Sequence, residues 1–277
     1  MDSDSFLRAY DFSGKTIAVT GGGGVLCGEL VRALADCKAN VVILDRDLGL
    51  AGKTLATLSG SKGKHGALYI DVLEKSAIEK AVATILAEYG TIDGLINGAG
   101  GNSPKATTNP DQSFFDIPPE ALQFVSNLNL QGTILPSQVF GRAMATQKHG
   151  VILNISSMNA FRPLTRIPAY SAAKAAVSNF TQWLAVHLAQ EYSPALRVNA
   201  IAPGFFLTEQ NRFLLTDKET GALTARGKTI IAHTPMARFG TPEDLVGATL
   251  WLLSPASQFV TGIVVPIDGG FSAFSGV

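Results

Sequence analysis

Residues 15–45 read KTIAVTGGGGVLCGELVRALADCKANVVILD. Lys15–Thr20 is a short β-branched run, and four glycines follow it at once. From Val25 to Ala35 the apolar residues fall at helical spacing, and Asn40–Asp45 (NVVILD) is a second strand pattern. Strand, glycine turn, helix and strand make one unit of a parallel sheet. Glycine suits the turn because backbone without a Cβ can bend tightly and lie against an anion. The helix that follows offers unpaired N–H groups and the positive end of its dipole. Asp45 closes the second strand 21 residues beyond Gly24, where a carboxylate can reach an adenosine ribose. A glycine run alone is also an ordinary tight turn, and Asp45 alone an ordinary turn aspartate. The order of all four features points to a dinucleotide.

The same alternation runs through the chain. Ala67–Asp71, Asp93–Asn97, Gly150–Ile155 (GVILNI), Leu196–Ile201 and Gly262–Ile267 read as further strands. Glu74–Tyr89, Ala121–Thr146, Tyr170–Tyr192 and Pro242–Leu253 read as helices. Several strands are apolar at nearly every position, as strands covered on both faces must be. The pattern predicts an α/β fold: a single-domain, Rossmann-type, doubly wound parallel sheet over residues 1–277, with helices on both faces. Two stretches break the rhythm, 98–119 after strand four and 205–239 after strand six. Ligands in such sheets sit beyond the carboxyl ends of the strands, and long loops there form pocket walls.

Composition narrows the function. The 277 residues are 46% apolar and 16% charged, with 22 basic against 22 acidic side chains. That share of apolar residues excludes disorder for the bulk of the chain. A balanced charge without a basic stripe argues against nucleic acid and against a polybasic membrane anchor. No apolar run approaches the roughly 18 residues of a membrane span, and residues 1–10 lack the apolar core of a signal peptide. The expectation is a cytoplasmic protein. Cys27 and Cys37, ten residues apart, would lie roughly 15 Å apart on one helix, too far for a disulfide. With no CxxC and four scattered histidines, no metal site is expected.

A carboxylate at Asp45 accepts bonds from ribose hydroxyls and repels a 2′-phosphate, so NAD(H) is preferred. Arg46 argues the other way, and NADP(H) is not excluded. Asp71 is either a contact to the adenine edge or a helix cap. Tyr170-Ser-Ala-Ala-Lys174 puts a phenol and an ammonium four residues apart, on one helix face. A free tyrosine titrates near 10 and acid/base work is best near 7, a gap of about 4 kcal/mol. A neighbouring cation and a helix N-terminus both narrow it. Ser157, at the end of strand five, could hold a carbonyl or alcohol oxygen.

Further marks accompany that pair: Thr20-Gly21 with Gly24, Asn97-x-Ala99-Gly100, Asn129-Leu130-x-Gly132, Asn199-x-x-Pro203-Gly204 with Thr208, and Asp268-Gly269-Gly270. With them the sequence resembles the short-chain dehydrogenase/reductase superfamily over nearly its whole length. The resemblance implies Tyr170 as general acid/base and Lys174 as the group that lowers its pKa and binds the nicotinamide ribose. Ser157 would position the reacting oxygen, and Asn129 would hold a water linking Lys174 to solvent. The implied cofactor contacts are Gly21, Gly24, Val25, Leu26, Asp45, Arg46, Asp71, Val72, Asn97, Ala99, Gly100, Tyr170, Lys174, Pro203, Gly204, Phe206 and Thr208. It also implies a homotetramer (or dimer) built on the helices at Ala121–Thr146 and Tyr170–Tyr192. Two departures stand out. The family's turn usually reads TGxxxGxG, with glycines where this chain has Val25 and Cys27, and its usual NNAG reads Asn97-Gly98-Ala99-Gly100 here.

Within the superfamily, Gly21–Cys27 (GGGGVLC), Gly100–Thr108 (GGNSPKATT) and Phe205–Leu215 (FFLTEQNRFLL) resemble the D-mannonate oxidoreductase (fructuronate reductase) type. That resemblance implies a small sugar-acid substrate, with hydride passing from NADH to a keto-uronic acid to give an aldonate. A carboxylate substrate wants an arginine. Arg212 is the first candidate and Arg162 and Arg166 the second, each also readable as a solvated surface residue. Asn102, Asn159 and Gln210 could bond sugar hydroxyls or simply cap loops. His233 is given no role. Other readings are a gluconate dehydrogenase-like enzyme, a keto-acyl reductase, and, in a different class, a dinucleotide-sensing protein without turnover.

Overall fold

The computed structural model describes residues 8–208, 212–217 and 220–276. The opening stretch folds as read: β1 (Thr16–Thr20), α1 (Val25–Asp36) and β2 (Asn40–Asp45). After them come α2 (Leu48–Ala56), β3 (His65–Tyr69), α3 (Lys75–Tyr89), β4 (Gly94–Asn97), α4 (Pro119–Ser126), α5 (Gly132–Gln147) and β5 (Gly150–Ile155). The remainder is α6 (Pro168–Glu191), β6 (Leu196–Pro203), α7 (Arg212–Leu215), α8 (Ala225–Ala232), α9 (Val246–Leu253) and β7 (Val264–Ile267). One sheet of seven strands in the order β3-β2-β1-β4-β5-β6-β7 carries them, every pair parallel.

Alternate residues of each strand enter two separate cores. Ile17, Val19, Val41 and Ile43 pack with Leu30, Val31 and Leu34 of α1 and Leu252 of α9. Ala18, Val42 and Leu44 pack on the opposite face with Ile78 and Ile85 of α3, Phe140 of α5 and Leu184 of α6. This two-sided burial is why the strands are apolar at nearly every position. The chain builds outward from β1 to β3, then returns to lay β4 beside β1. The order reverses there, and a crevice opens between the turns that follow these two strands.

Several boundaries differ from the sequence reading. Strand three is shifted to His65–Tyr69 because it pairs in register with Val41–Asp45 of β2. Asp71 therefore lies beyond it, in a turn where its Oδ1 accepts from Leu73 N at 2.9 Å. Helix α2, which the sequence pattern does not single out, is started by Asp47, whose carboxylate accepts from Gly49 N and Leu50 N. The expected helix Ala121–Thr146 is interrupted by a π-helical turn at Asn127–Gln131. The Asn129 side-chain amide donates to Val125 O at 2.8 Å, the carbonyl that its backbone N–H would use in an α-helix. Pro136 inside α5 removes another donor from the same helix. The last strand begins at Val264, since Gly262 has φ +79° and is not extended. Buried Arg197 on β6 donates to Leu252 O, Ser254 O and Ser257 Oγ, holding the C-terminal segment on the sheet.

Candidate active site

At the carboxyl ends of β1, β2 and β4 lies a cleft of about 640 Å³. Gly21, Gly24, Val25 and Leu26 form one wall, Asp45, Arg46, Asp71 and Val72 another, and Ala99, Gly100, Gly204, Phe206 and Thr208 close it. Gly24 is the N-cap of α1 and brings no side-chain acceptor to the first amides of the helix. Those amides therefore face the cleft with the positive end of the dipole behind them. Asp45 also braces the turn: its Oδ2 accepts from Gly23 N at 3.0 Å and its Oδ1 from Asp47 N at 2.9 Å. Each oxygen keeps a second lone pair for a ligand.

Two residues at the cleft's edge carry no site role in the motif reading. Thr20 Oγ1 accepts from Gly98 N at 3.1 Å and Ala99 N at 3.2 Å, fixing the turn after β4 against the end of β1. Its place at a strand end beside the glycines is the signal available in sequence. Cys27 lines the cleft and is buried, and burial pushes its thiol pKa up to about 12. Conversely, Asn97 does not line the cleft. Its Nδ2 donates to Ser137 Oγ at 2.9 Å and to Asn154 Oδ1 at 2.8 Å, and Asn154 donates onward to Thr181. The Asn97 side chain is thus a buried tie between sheet and helices, which leaves only its backbone for the expected cofactor contact. Pro203 is likewise buried in β6, in register with Ile267.

Tyr170 and Lys174 stand in the first turns of α6, which Pro168 opens. Lys174 is buried, and its Nζ donates to Ile155 O at 2.7 Å and lies 5.6 Å from the centroid of the Tyr170 ring. Burial draws its pKa down to about 8. The phenol was expected to be brought down by Lys174 and the helix end. Here burial raises it instead, and the group working in the lowering direction is the Ser157 hydroxyl. Asn129 is fully buried in the π-turn. Its Nδ2 donates to Gly101 O at 2.7 Å and its Oδ1 accepts from Gly101 N at 3.2 Å. Asn129 and Lys174 converge on Gly100, where a Cβ would fall 2.8 Å from Asn129 Oδ1 and 3.5 Å from Lys174 Nζ.

The substrate candidates are more scattered. Ser157 faces Tyr170, and Asn159 is buried behind it, bonded to Ser157 and to Leu164 N. Asn102 is exposed, and its amide donates to Thr107 Oγ1 at 2.9 Å. Arg162, Arg166 and Arg212 are all exposed, and Arg166 O accepts from Thr108 N, joining the loop after β4 to the segment before α6. Gln210 lies outside the described residues. The His233 ring meets Thr229 O at the end of α8. Among the described residues no group of His, Cys, Asp and Glu could hold a metal ion, and no helix is long and apolar enough to cross a membrane.

Known proteins resemble this chain in sequence and fold. The family model described as enoyl-(acyl carrier protein) reductase matches residues 26–272. An oxidoreductase of Haemophilus influenzae, named without a substrate, is 48% identical over 97% of this chain and 96% of its own. A solved Haemophilus structure with NAD bound, provisionally named a D-mannonate oxidoreductase, superposes with a TM-score of 0.90 at 48% identity. It covers 98% of this chain and 100% of that one. A gluconate 5-dehydrogenase of Burkholderia cenocepacia, solved with NADP and tartrate, gives 0.84 at 30% identity, covering 96% and 99%. Fold, motif order and relatives agree that this chain is a dehydrogenase/reductase of the short-chain dehydrogenase/reductase family.

Proposed function

We propose that the protein interconverts a keto-uronic acid and an aldonate, of the D-fructuronate/D-mannonate type, with NAD(H) as cofactor. The convergence of Tyr170, Lys174, Ser157 and Asn129 beside the glycine-lined cleft carries this reading. The cleft suits a dinucleotide: uncapped amides of α1 await a pyrophosphate, and the Asp45 carboxylate stands where a ribose diol would lie. A bound nicotinamide supplies or accepts the hydride. Ser157 donates a hydrogen bond to the reacting oxygen, and Tyr170 passes its proton to that oxygen as it gains charge. Lys174, anchored on Ile155 O, sets a positive charge beside the phenol as its proton leaves. Asn129 clamps Gly101 and so fixes the loop over Lys174. Arg212 and Asn102 stand on the two flanking loops, as residues binding a carboxylate and a hydroxyl would.

The substrate follows the Haemophilus likeness. The Burkholderia likeness favours a second reading, a gluconate dehydrogenase using NADP(H). Initial rates of D-fructuronate reduction with NADH and NADPH separate them. Fast turnover with NADH supports the first reading; turnover of 5-keto-gluconate with NADPH alone supports the second. Removing the carboxylate by Asp45→Ala should raise the ratio of NADPH to NADH efficiency about tenfold, the effect of about 1.4 kcal/mol of lost repulsion.

The same reading includes self-association into a tetramer or dimer. Along α6 the rings of Phe180, Trp183 and His187 stack in sequence, with centroids 6.3 and 4.8 Å apart, and Tyr192, just past the helix, meets His187 edge-on at 5.8 Å. Trp183 is 57% exposed and Val186 56%, an apolar face suited to a symmetric contact. Trp183→Glu is expected to halve the mass measured by light scattering. An unchanged mass would remove this face from the interface.

A further inference from the structure

Asn159 lies two residues past Ser157, in the short turn after β5, and is 6% exposed. The hydrogen bonds around it fix how its amide is turned. Leu164 N donates to the Asn159 side-chain oxygen at 3.2 Å. A backbone N–H can only donate, so that end of the amide must be oxygen. The Nδ2 end then faces Ser157 Oγ, which it reaches at 3.3 Å, and the backbone N–H of Asn159 reaches the same oxygen at 3.3 Å. A hydroxyl oxygen has two lone pairs, and Asn159 supplies a donor to each. What remains to Ser157 is its own proton, directed to the side where Tyr170 stands. The Ser157 hydroxyl does act there to favour the ionised phenol.

We propose that Asn159 is a positioning residue that holds Ser157 as a hydrogen-bond donor toward the Tyr170 oxygen and the reacting substrate oxygen. Left to itself, a serine hydroxyl rotates, and most of its orientations offer a lone pair to an oxygen that needs a proton. With both lone pairs occupied, one orientation survives. This gives Asn159 a part beyond that of a ligand for sugar hydroxyls, and its second N–H stays available for one. The inference rests on the proposed acid/base role of Tyr170 but not on which sugar acid is reduced.

Asn159→Asp tests it. The substitution keeps an oxygen for Leu164 N and puts an acceptor where Nδ2 stood, so Ser157 turns its proton toward the new carboxylate and away from Tyr170. The readout is the phenolate absorbance of Tyr170, taken as the difference between each protein and its Tyr170→Phe counterpart across pH. No substrate is needed, so the test stands even if the sugar-acid reading fails. In Asn159→Asp the Tyr170 transition should move up by about one pH unit, the worth of one hydrogen bond to a charged group. The parent for the control is Ser157→Ala. In that background Asn159→Asp should move the transition by less than a third as much, because the intermediary is gone. Lys174, on the phenol's own helix, is unchanged in every variant, and Asn129 in the π-turn is neutral. An equal shift in both backgrounds means simple charge repulsion and overturns the proposal, as does an unmoved transition. If Asn159→Asp does not fold, Asn159→Leu, neutral and similar in size, carries the same test. The transition should move in the same direction by a smaller amount, and no movement overturns the proposal.

Discussion

Tyr170→Phe should lower kcat/KM by about a thousandfold while leaving NADH affinity within about twofold. In the proposed mechanism the phenol gives its proton to the reacting oxygen, and positioned acid/base groups contribute about 10²–10⁴-fold. Phenylalanine keeps the ring, so the packing of the first turn of α6 and the 5.6 Å approach of Lys174 survive. The cleft walls contributed by α1, β2 and the turn after β4 do not involve the phenol oxygen, which is why binding should hold. Steady-state rates together with fluorescence titration of NADH check both halves. Turnover at the parent level would sink the acid/base assignment. Loss of NADH binding along with turnover would show that the hydroxyl supports the cleft itself. The same pair of measurements decides against a dinucleotide sensor, for which removing one hydroxyl changes no rate.

The fold was legible because its strands are buried on both faces, which calls for apolar residues at nearly every position and makes β1, β2, β5 and β6 easy to see. Helix α2 was hidden for the converse reason: Gly49 and Gly52 depress its helix propensity, and its start depends on the Asp47 carboxylate accepting two amides. Strand β3 could be placed only within two residues, because composition around 65–71 suits either register and pairing with β2 decides it. In the site, Tyr170 and Lys174 were readable because helical spacing alone brings them together. The π-turn at Asn127–Gln131 was not, since it arises from a side chain competing for a backbone carbonyl. Asn97 shows the limit of a motif: its place in the mark suggests the cofactor, yet the side chain runs into a chain of bonds spanning β4, β5, α5 and α6. No local pattern announces a network that four elements assemble.

Gly98→Asn is expected to destabilise the protein by about 3 kcal/mol, and Cys27→Gly to restore much of that loss. These are the two positions, apart from Val25, at which the chain departs from the family's usual turns, TGxxxGxG and NNAG. The geometry makes them one exchange. A Cβ at position 98 would overlap Cys27 Sγ and come within 2.8 Å of Thr20 O. The thiol thus fills the room that a side chain at 98 takes in the usual pattern, and glycine at 98 makes room for the thiol. Being buried and held protonated by a pKa near 12, Cys27 acts as packing and not as a thiolate. Overpacking against fixed backbone sits at the upper end of its usual cost, so Gly98→Asn alone should lower the melting temperature by roughly 6 °C. Cys27→Gly alone leaves a void and a flexible residue in the first turn of α1, for a loss of about 1–2 kcal/mol. If the exchange is real, the double variant is more stable than Gly98→Asn, with a coupling above about 1 kcal/mol. NADH affinity should recover in step, because both residues border the cleft. Losses that simply add would mean that the two departures are independent, and that Gly98 is required by the turn after β4 for its own sake.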